Sequence, residues 1–389
     1  MITIAKAGHN TSLVAAFQAA VRIEGEDGQR VWIAFSKEDA DSDKLTWWPP
    51  MKFPHQQPPE ERNGTALTGA ATAQWGPVLH LDEESRALWL FFSESNGECH
   101  RAPTEDVPVG RWTPGGDVMA AHFDGRKWSQ PNVIYAKSAG SIPKVTANRL
   151  TVLESGWWVL PFWRQRPRPV DHVYTDSRED PLTGLEVKVN VTEQWCLTPP
   201  NKRNSAGVLI SEDRGATWWA YGALESHEAS WLIENTVAET SPGRLLMLFR
   251  TRAGVAFGAT SDTGGKTWEP ARAELGVPNP DSKLSMIRLS SGGLVAAFND
   301  HPRPYVSNDN GQLTIATRER FRLVLAVSKD EGMTWQRFAR VDAPNEGENQ
   351  AVAPVRKAEY EADQLWEQRA KAGKGVGGVM NKLFGRWLL

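Results

Sequence analysis

Short apolar or alternating runs recur along most of the chain. Arg30–Ser36 (RVWIAFS), Ala87–Phe92 (ALWLFF), Trp157–Phe162 (WWVLPF), Arg244–Arg250 (RLLMLFR), Gly293–Asn299 (GLVAAFN) and Arg322–Ser328 (RLVLAVS) are each bounded by Gly, Asn, Asp or Pro. Runs of this length with a two-residue period place alternate side chains on opposite faces of a pleated strand, and the bounding residues end it in a turn. The pattern therefore predicts many short β-strands over residues 1–350. Residues 351–389 differ. Lys357–Ala372 is rich in Ala, Glu, Lys and Gln, and Val376–Leu389 places Val379, Met380, Leu383, Phe384, Trp387 and Leu388 on one helical face. The expected organisation is one strand-built domain, 1–350, followed by a helix-prone basic tail, 351–389.

Between the runs one motif repeats. Ser211-Glu-Asp213-Arg-Gly215-Ala-Thr217-Trp218 and Ser328-Lys-Asp330-Glu-Gly332-Met-Thr334-Trp335 both read S-x-D-x-G-x-T-W. In Ser261-Asp262-Thr-Gly264-Gly-Lys-Thr267-Trp268 the Asp and first Gly stand one place nearer the serine, with an extra residue before the threonine. His122–Trp128 and Ser36–Trp47 are weaker echoes. Such a segment suits a hairpin turn: Ser and Asp cap backbone N–H groups, Gly accepts a positive φ, and Trp folds back over the turn. The spacing of Trp47, Trp128, Trp218, Trp268 and Trp335 fits a repeated supersecondary unit carrying insertions. Many short strands joined by a repeated turn predict an all-β protein, a β-propeller. Six blades of about 50–60 residues would occupy most of the chain.

Composition narrows the function. The 389 residues include 44 Lys+Arg and 47 Asp+Glu, a net charge of −3, which argues against a whole-protein electrostatic grip on nucleic acid. Two cysteines, Cys99 and Cys196, give neither a disulfide framework nor a paired zinc motif. No constellation calls for a metal or cofactor, and there is no phosphate-binding loop, HExxH or GxSxG. No apolar run approaches the roughly 18 residues of a membrane span, and the first residues lack a signal-peptide pattern, so a soluble, cytoplasmic protein is expected. Eighteen tryptophans against five tyrosines suit either sugar stacking or one packing indole per repeat.

The three boxes resemble the Asp-boxes, or bacterial neuraminidase repeats, of the sialidase superfamily. Trp75-Gly-Pro77-Val-Leu79 is similar to that superfamily's W-N-P-V-L strand, with Gly76 in place of Asn. Pro278-Asn279-Pro280-Asp-Ser282-Lys is similar to its L-P-N-P-x-S segment, and Glu24-Gly25 followed by Val31-Trp-Ile33 to its entry strand. The likeness covers roughly residues 5–340. It implies a six-bladed sialidase-like propeller in which arginines bind a substrate carboxylate, a Glu–Tyr pair supplies the nucleophile and an acidic residue serves the leaving group. Glu234 and Arg250, sixteen residues apart across a strand, turn and strand, resemble the family's Glu and second arginine. Arg320 or Arg322, with Arg320 favoured, matches the third. Glu24 or Asp27 stands where the family's acid would fall.

Two departures stand beside the likeness. No N-terminal arginine fits the first member of the triad, and His9-Asn-Thr11 takes that strand position. Tyr360 is the one tyrosine after the third box, it lies in the helix-prone stretch, and the final strands that should complete the last blade are not apparent, so an incomplete last blade is expected. Three readings follow. The first is a sialidase-like exo-glycosidase on an anionic sugar, with Arg250 and Arg320 as the carboxylate clamp, Glu234 as base and Glu24 or Asp27 as acid. The second is a lyase on uronate glycans, which needs no tyrosine. The third is a non-catalytic propeller that binds a carbohydrate or glycoconjugate.

Overall fold

The computed structural model describes residues 2–6, 13–20, 24, 26, 28–37, 46–53, 73–95, 99–101, 111–166, 168–179, 185–197, 204–227, 229, 231–300, 305–307, 313–315, 320 and 322–341. They form five antiparallel blades, each built in chain order from the inner strand outward. Blade I comprises Ile2–Lys6, Leu13–Ala19, Arg30–Lys37 and Thr46–Trp47. Blade II comprises Gln74–Leu81, Leu88–Glu94, Asp117–Phe123 and Asn132–Tyr135. In blade III the inner strand is split into Lys144–Thr146 and Thr151–Val152, both paired with Trp158–Arg164, and Ser205–Ser211 and Trp219–Leu224 follow. Blade IV comprises Ile233–Ser241, Arg244–Arg250, Gly254–Ser261 and Arg272–Asn279, and blade V Ser285–Arg288, Leu294–Asn299, Leu323–Ser328 and Gln336–Arg340. The all-β propeller is thus as the pattern predicts. A sixth blade and the helix-prone tail of 351–389 lie outside the described residues. The sheet carrying the third box is complete, with all four strands.

Every predicted box occupies the same place, the turn from the third to the fourth strand. In the first, Ser211 Oγ accepts the Gly215 N–H at 2.6 Å, and Asp213 accepts the Thr217 N–H at 2.8 Å and its hydroxyl at 2.6 Å. The third box repeats this, with Gly332 N to Ser328 Oγ at 2.8 Å and Thr334 N to Asp330 at 2.9 Å. Hydrogen bonds from the Thr334 hydroxyl and N–H and from Ser328 hold the Asp330 carboxyl down at about 2. The echoes at Phe123↔Trp128 and Ser36↔Trp47 close the same turn in blades II and I.

The second box is in a different register from the one the sequence suggests. Gly265, not Gly264, donates to Ser261 Oγ at 2.9 Å, and Thr263, not Asp262, accepts the Thr267 N–H at 2.8 Å. No residue is inserted. A threonine hydroxyl replaces the aspartate as acceptor, and Asp262 points outward, 3.4 Å from Arg244. The glycines of the three turns have φ of +95°, +92° and +96°, which side chains with a Cβ resist. Trp218 and Trp268 fold back and donate Nε1–H to the carbonyls of Gly215 and Gly265 at 3.1 and 2.7 Å.

The period-two pattern produces one apolar layer between each pair of neighbouring blades. In Arg244–Arg250, Leu245, Met247 and Phe249 join Val208 and Ile210 between blades III and IV. Leu246 and Leu248 point the other way and join Met286, Leu294 and Phe298 between blades IV and V. Val14, Ile33, Leu90 and Phe92 fill the layer between I and II, and Phe91, Val118, Leu160 and Leu209 that between II and III. Trp158 and Trp163 are core residues, while Trp157 is half-buried beneath the Lys266 ammonium, 4.3 Å from its ring. Gly76 marks a close approach: a Cβ there would come within 2.5 Å of the Thr146 carbonyl oxygen in the next blade.

Candidate functional site

In an antiparallel blade, the first-to-second and third-to-fourth turns lie at one end, and the second-to-third connections and the links between blades at the other. The boxes occupy the first end. At the second end, blade IV brings its first and second strands together at Ile233↔Arg250. Glu234 follows Ile233 with φ of +45°, a conformation rare and costly for a non-glycine residue, of order 1–3 kcal/mol, and such strain is concentrated at functional sites. The strained peptide is held from the propeller axis. Asn148, buried in blade III, donates Nδ2–H to the carbonyls of Glu234, Asn235 and Leu284 at 3.0, 3.1 and 3.2 Å.

The side chains of Glu234 and Arg250 form one ion pair, Nη1 to Oε2 at 2.8 Å. The second guanidinium edge is taken by a residue absent from the sequence expectation: Asp281 Oδ1 accepts from Arg250 Nε at 3.0 Å. Asp281 is fully buried in the link from blade IV to blade V, with φ of +54°. Asn279 shapes that link, donating to the Ser282 carbonyl at 2.8 Å and accepting from the Ser282 N–H at 3.3 Å. Burial opposes the Arg250 charge, yet Glu234 and Asp281 outweigh it and raise the guanidinium's pKa. Glu234 Oε1 accepts no hydrogen bond from the described residues.

Two more cations border this pair. Arg252 stacks over the Trp231 ring at 3.8 Å and lies 3.5 Å from Asp281 Oδ2. Lys283 donates to the Ala147 carbonyl at 2.9 Å; burial drives its pKa down to about 8, with Glu234 raising and Arg250 lowering it. Burial pushes the Asp281 carboxyl up, and the charges of Arg250 and Arg320 pull it back.

Of the expected site residues, the structure therefore joins Glu234, Arg250 and Arg320 at one end of blades IV and V. Arg320 is exposed there. Arg322 is half-buried with φ of +57°, and its carbonyl accepts from the Asp300 N–H at 2.9 Å. Glu24 is exposed in the connection between the second and third strands of blade I and accepts from Gln18 Nε2 at 2.7 Å. Asp27, His9 and Tyr360 lie outside the described residues. Asp281 and Lys283 belong to the Pro278–Lys283 segment noted for its resemblance, so the segment was visible although the role of its charges was not. Arg252 and Asn148 carried no sequence signal. Among the described residues no group of three or more His, Cys, Asp or Glu is placed to hold a metal ion, and no helix is long and apolar enough to cross a membrane.

Solved structures with this fold include Hadza microbial sialidase Hz136, at 17% identity and a TM-score of 0.57 over 88% of this chain and 58% of that one. The intramolecular trans-sialidase from Ruminococcus gnavus matches at 13% identity and 0.54, over 89% and 85%. A protein of unknown function from Dyadobacter fermentans matches at 15% and 0.51, over 88% and 83%. The chain spans about three fifths of the length of the first sialidases it matches. No curated protein matches it. The fold is a sialidase-like β-propeller, and because the model of the BNR repeat-like domain family matches residues 11–361, the chain belongs to that family.

Proposed function

We propose that the protein is an exo-acting glycosidase on a carboxylate-bearing sugar of the sialic-acid type, working at the end of blades IV and V. The observation that carries this reading is the local charge balance. Arg250, Arg252, Lys283 and Arg320 surround two carboxylates, Glu234 and Asp281. Among the described residues, the groups of this cluster are four cations and two anions. Planar guanidinium groups suit bidentate capture of a carboxylate. Arg250 is held on two edges by Glu234 and Asp281, which fixes it before any ligand arrives, and exposed Arg320 supplies a second contact. Glu234, held through Oε2, keeps Oε1 available to take a proton from water as the water oxygen attacks the anomeric carbon. The departing oxygen takes its proton from an acid, with Glu24 and Asp27 as the two candidates.

A second reading rests on Lys283. An amine with its pKa lowered to about 8 is partly neutral near neutrality and can abstract a proton beside a carboxylate, the first step of uronate elimination. Product mass separates the readings. The protein and its Glu234→Gln variant are incubated with a pool of sialylated and uronate-containing glycans. Release of a sugar with one water added, lost in the variant, supports the hydrolase. An unsaturated product formed without water supports elimination, and no product from a folded sample refutes both and leaves a binding propeller.

A further inference from the structure

The opposite end of the propeller axis, on the box side, holds a cavity of about 720 Å³. It opens between the inner strands of blades II, III, IV and V. Leu79, Leu150, Val237 and Met286 contribute apolar wall, and three arginines reach it: Arg149, Arg214 and Arg288. Two of the three are neutralised. Arg214, from the first box, forms ion pairs with Asp82 and Glu84, and Arg288 pairs with Glu154 at 2.5 Å. Arg149 is different. It follows Asn148, the residue that ties the inner strands together, and it makes no hydrogen bond or ion pair with the described residues. Its side chain is solvent-accessible, yet protein surrounds it closely enough that burial lowers its pKa. His80 lies beside it on the cavity wall, its ring edge-on to Trp158 at 4.7 Å. Burial lowers the imidazole to about 4, so it is neutral near pH 7 and adds no second charge.

From this geometry we infer that the box-side cavity is a second ligand site, taking a small organic carboxylate of mono- to disaccharide size on Arg149. A guanidinium that lines a recess and forms no ion pair with the described residues is an arrangement that a ligand anion completes. Cavities of about 300–1,000 Å³ with apolar walls and few polar groups are the usual form of small-molecule sites. The pairing of Arg214 and Arg288 selects for a single negative charge, because a dianion would have to compete with Asp82, Glu84 and Glu154 for its second partner. Glu83, exposed at the rim, further disfavours highly charged ligands. The site is separate from that of Glu234 and Arg250, which lies at the other end of the same inner strands.

The test is calorimetric titration of the full chain with glucuronate and, separately, N-acetylneuraminate, with glucose as the neutral control. Wild type is compared with Arg149→Gln, Arg149→Lys and Arg320→Ala. We expect at least one acid to bind while glucose does not, with a Kd weakened tenfold or more by Arg149→Gln and by less in Arg149→Lys, which keeps the charge but loses the fork. Because Arg149 bonds to no described residue, its variants should melt at the wild-type temperature. Binding through Arg149 should persist in Arg320→Ala, so failure of the glycosidase reading at the other end would leave this result intact. Titrations unchanged by Arg149→Gln, binding abolished only by Arg320→Ala, or no heat from either acid at millimolar concentration would overturn the assignment.

Discussion

Removing Arg250 should destabilise the protein unless Asp281 is removed with it. Asp281 is fully buried, its Oδ1 lies 3.0 Å from Arg250 Nε, and the Arg250 side chain is 13% exposed. At that separation and an effective dielectric of about 20, Coulomb's law gives an attraction of about 5 kcal/mol, from which the desolvation of both groups must be subtracted. Breaking a buried pair from one side typically costs about 3–5 kcal/mol because the remaining charge is uncompensated. Arg252, 3.5 Å from Oδ2, stays to offset part of that loss, so Arg250→Met should cost about 3 kcal/mol. Asp281→Asn keeps the shape and removes the charge, and in the double variant the two losses should fall well short of their sum. Urea unfolding of the four proteins yields the coupling directly, and about 2 kcal/mol is the expected value. Additive effects within about 0.5 kcal/mol would show that the pair does not organise the site.

The register of the second box yields another test. Thr263→Val removes the acceptor for the Thr267 N–H and should cost about 1 kcal/mol in thermal or urea unfolding, whereas Asp262→Ala, which loses only an exposed 3.4 Å pair, should be nearly neutral; the reverse order would restore the register suggested by the sequence. Lys283 gives a pH dependence. Its folded pKa of about 8 lies below the ordinary 10.5, so between these values the unfolded chain binds more protons and the lysine's contribution to stability rises with pH. The stability of Lys283→Met relative to wild type should therefore fall as pH increases from 8 to 10.5, and a gap independent of pH would contradict the buried ammonium.

The strands were legible because a propeller blade is a set of short period-two runs. Arg244–Arg250 is observed with the bounds the pattern suggests, and Arg30–Ser36 is extended by one residue. The boxes were legible because their turn admits few residue types. The second box misled because a threonine can accept the bond an aspartate usually takes, while the neighbouring Asp262 offered a plausible but wrong alignment. At the site, Glu234 and Arg250 are close in sequence as well as in space and could be paired from their spacing and the family likeness. Asp281 lies 31 residues beyond Arg250, and Asn148 precedes Glu234 by 86. Such contacts exist only once blades III, IV and V are stacked, and no local pattern encodes them.

The lengths of the second-to-third strand connections give the site-bearing end an uneven topography. In blades II, III and V they run over 95–116, 165–204 and 300–322, and each carries a hairpin: His100–Arg101 with Arg111–Trp112, Arg168–Glu179 with Glu186–Leu197, and Tyr305–Ser307 with Leu313–Ile315. In blade IV the same connection is only residues 251–253. The blade that supplies Glu234 and Arg250 therefore forms a low sill beside taller neighbours. On the proposed exo-glycosidase reading, a glycan held by its terminal sugar would leave over that sill. Arg252 sits in that short link, so lengthening 251–253 would narrow what the site admits and also move one of its charges; on the proposed reading, ligand size and ligand charge are selected by the same few residues.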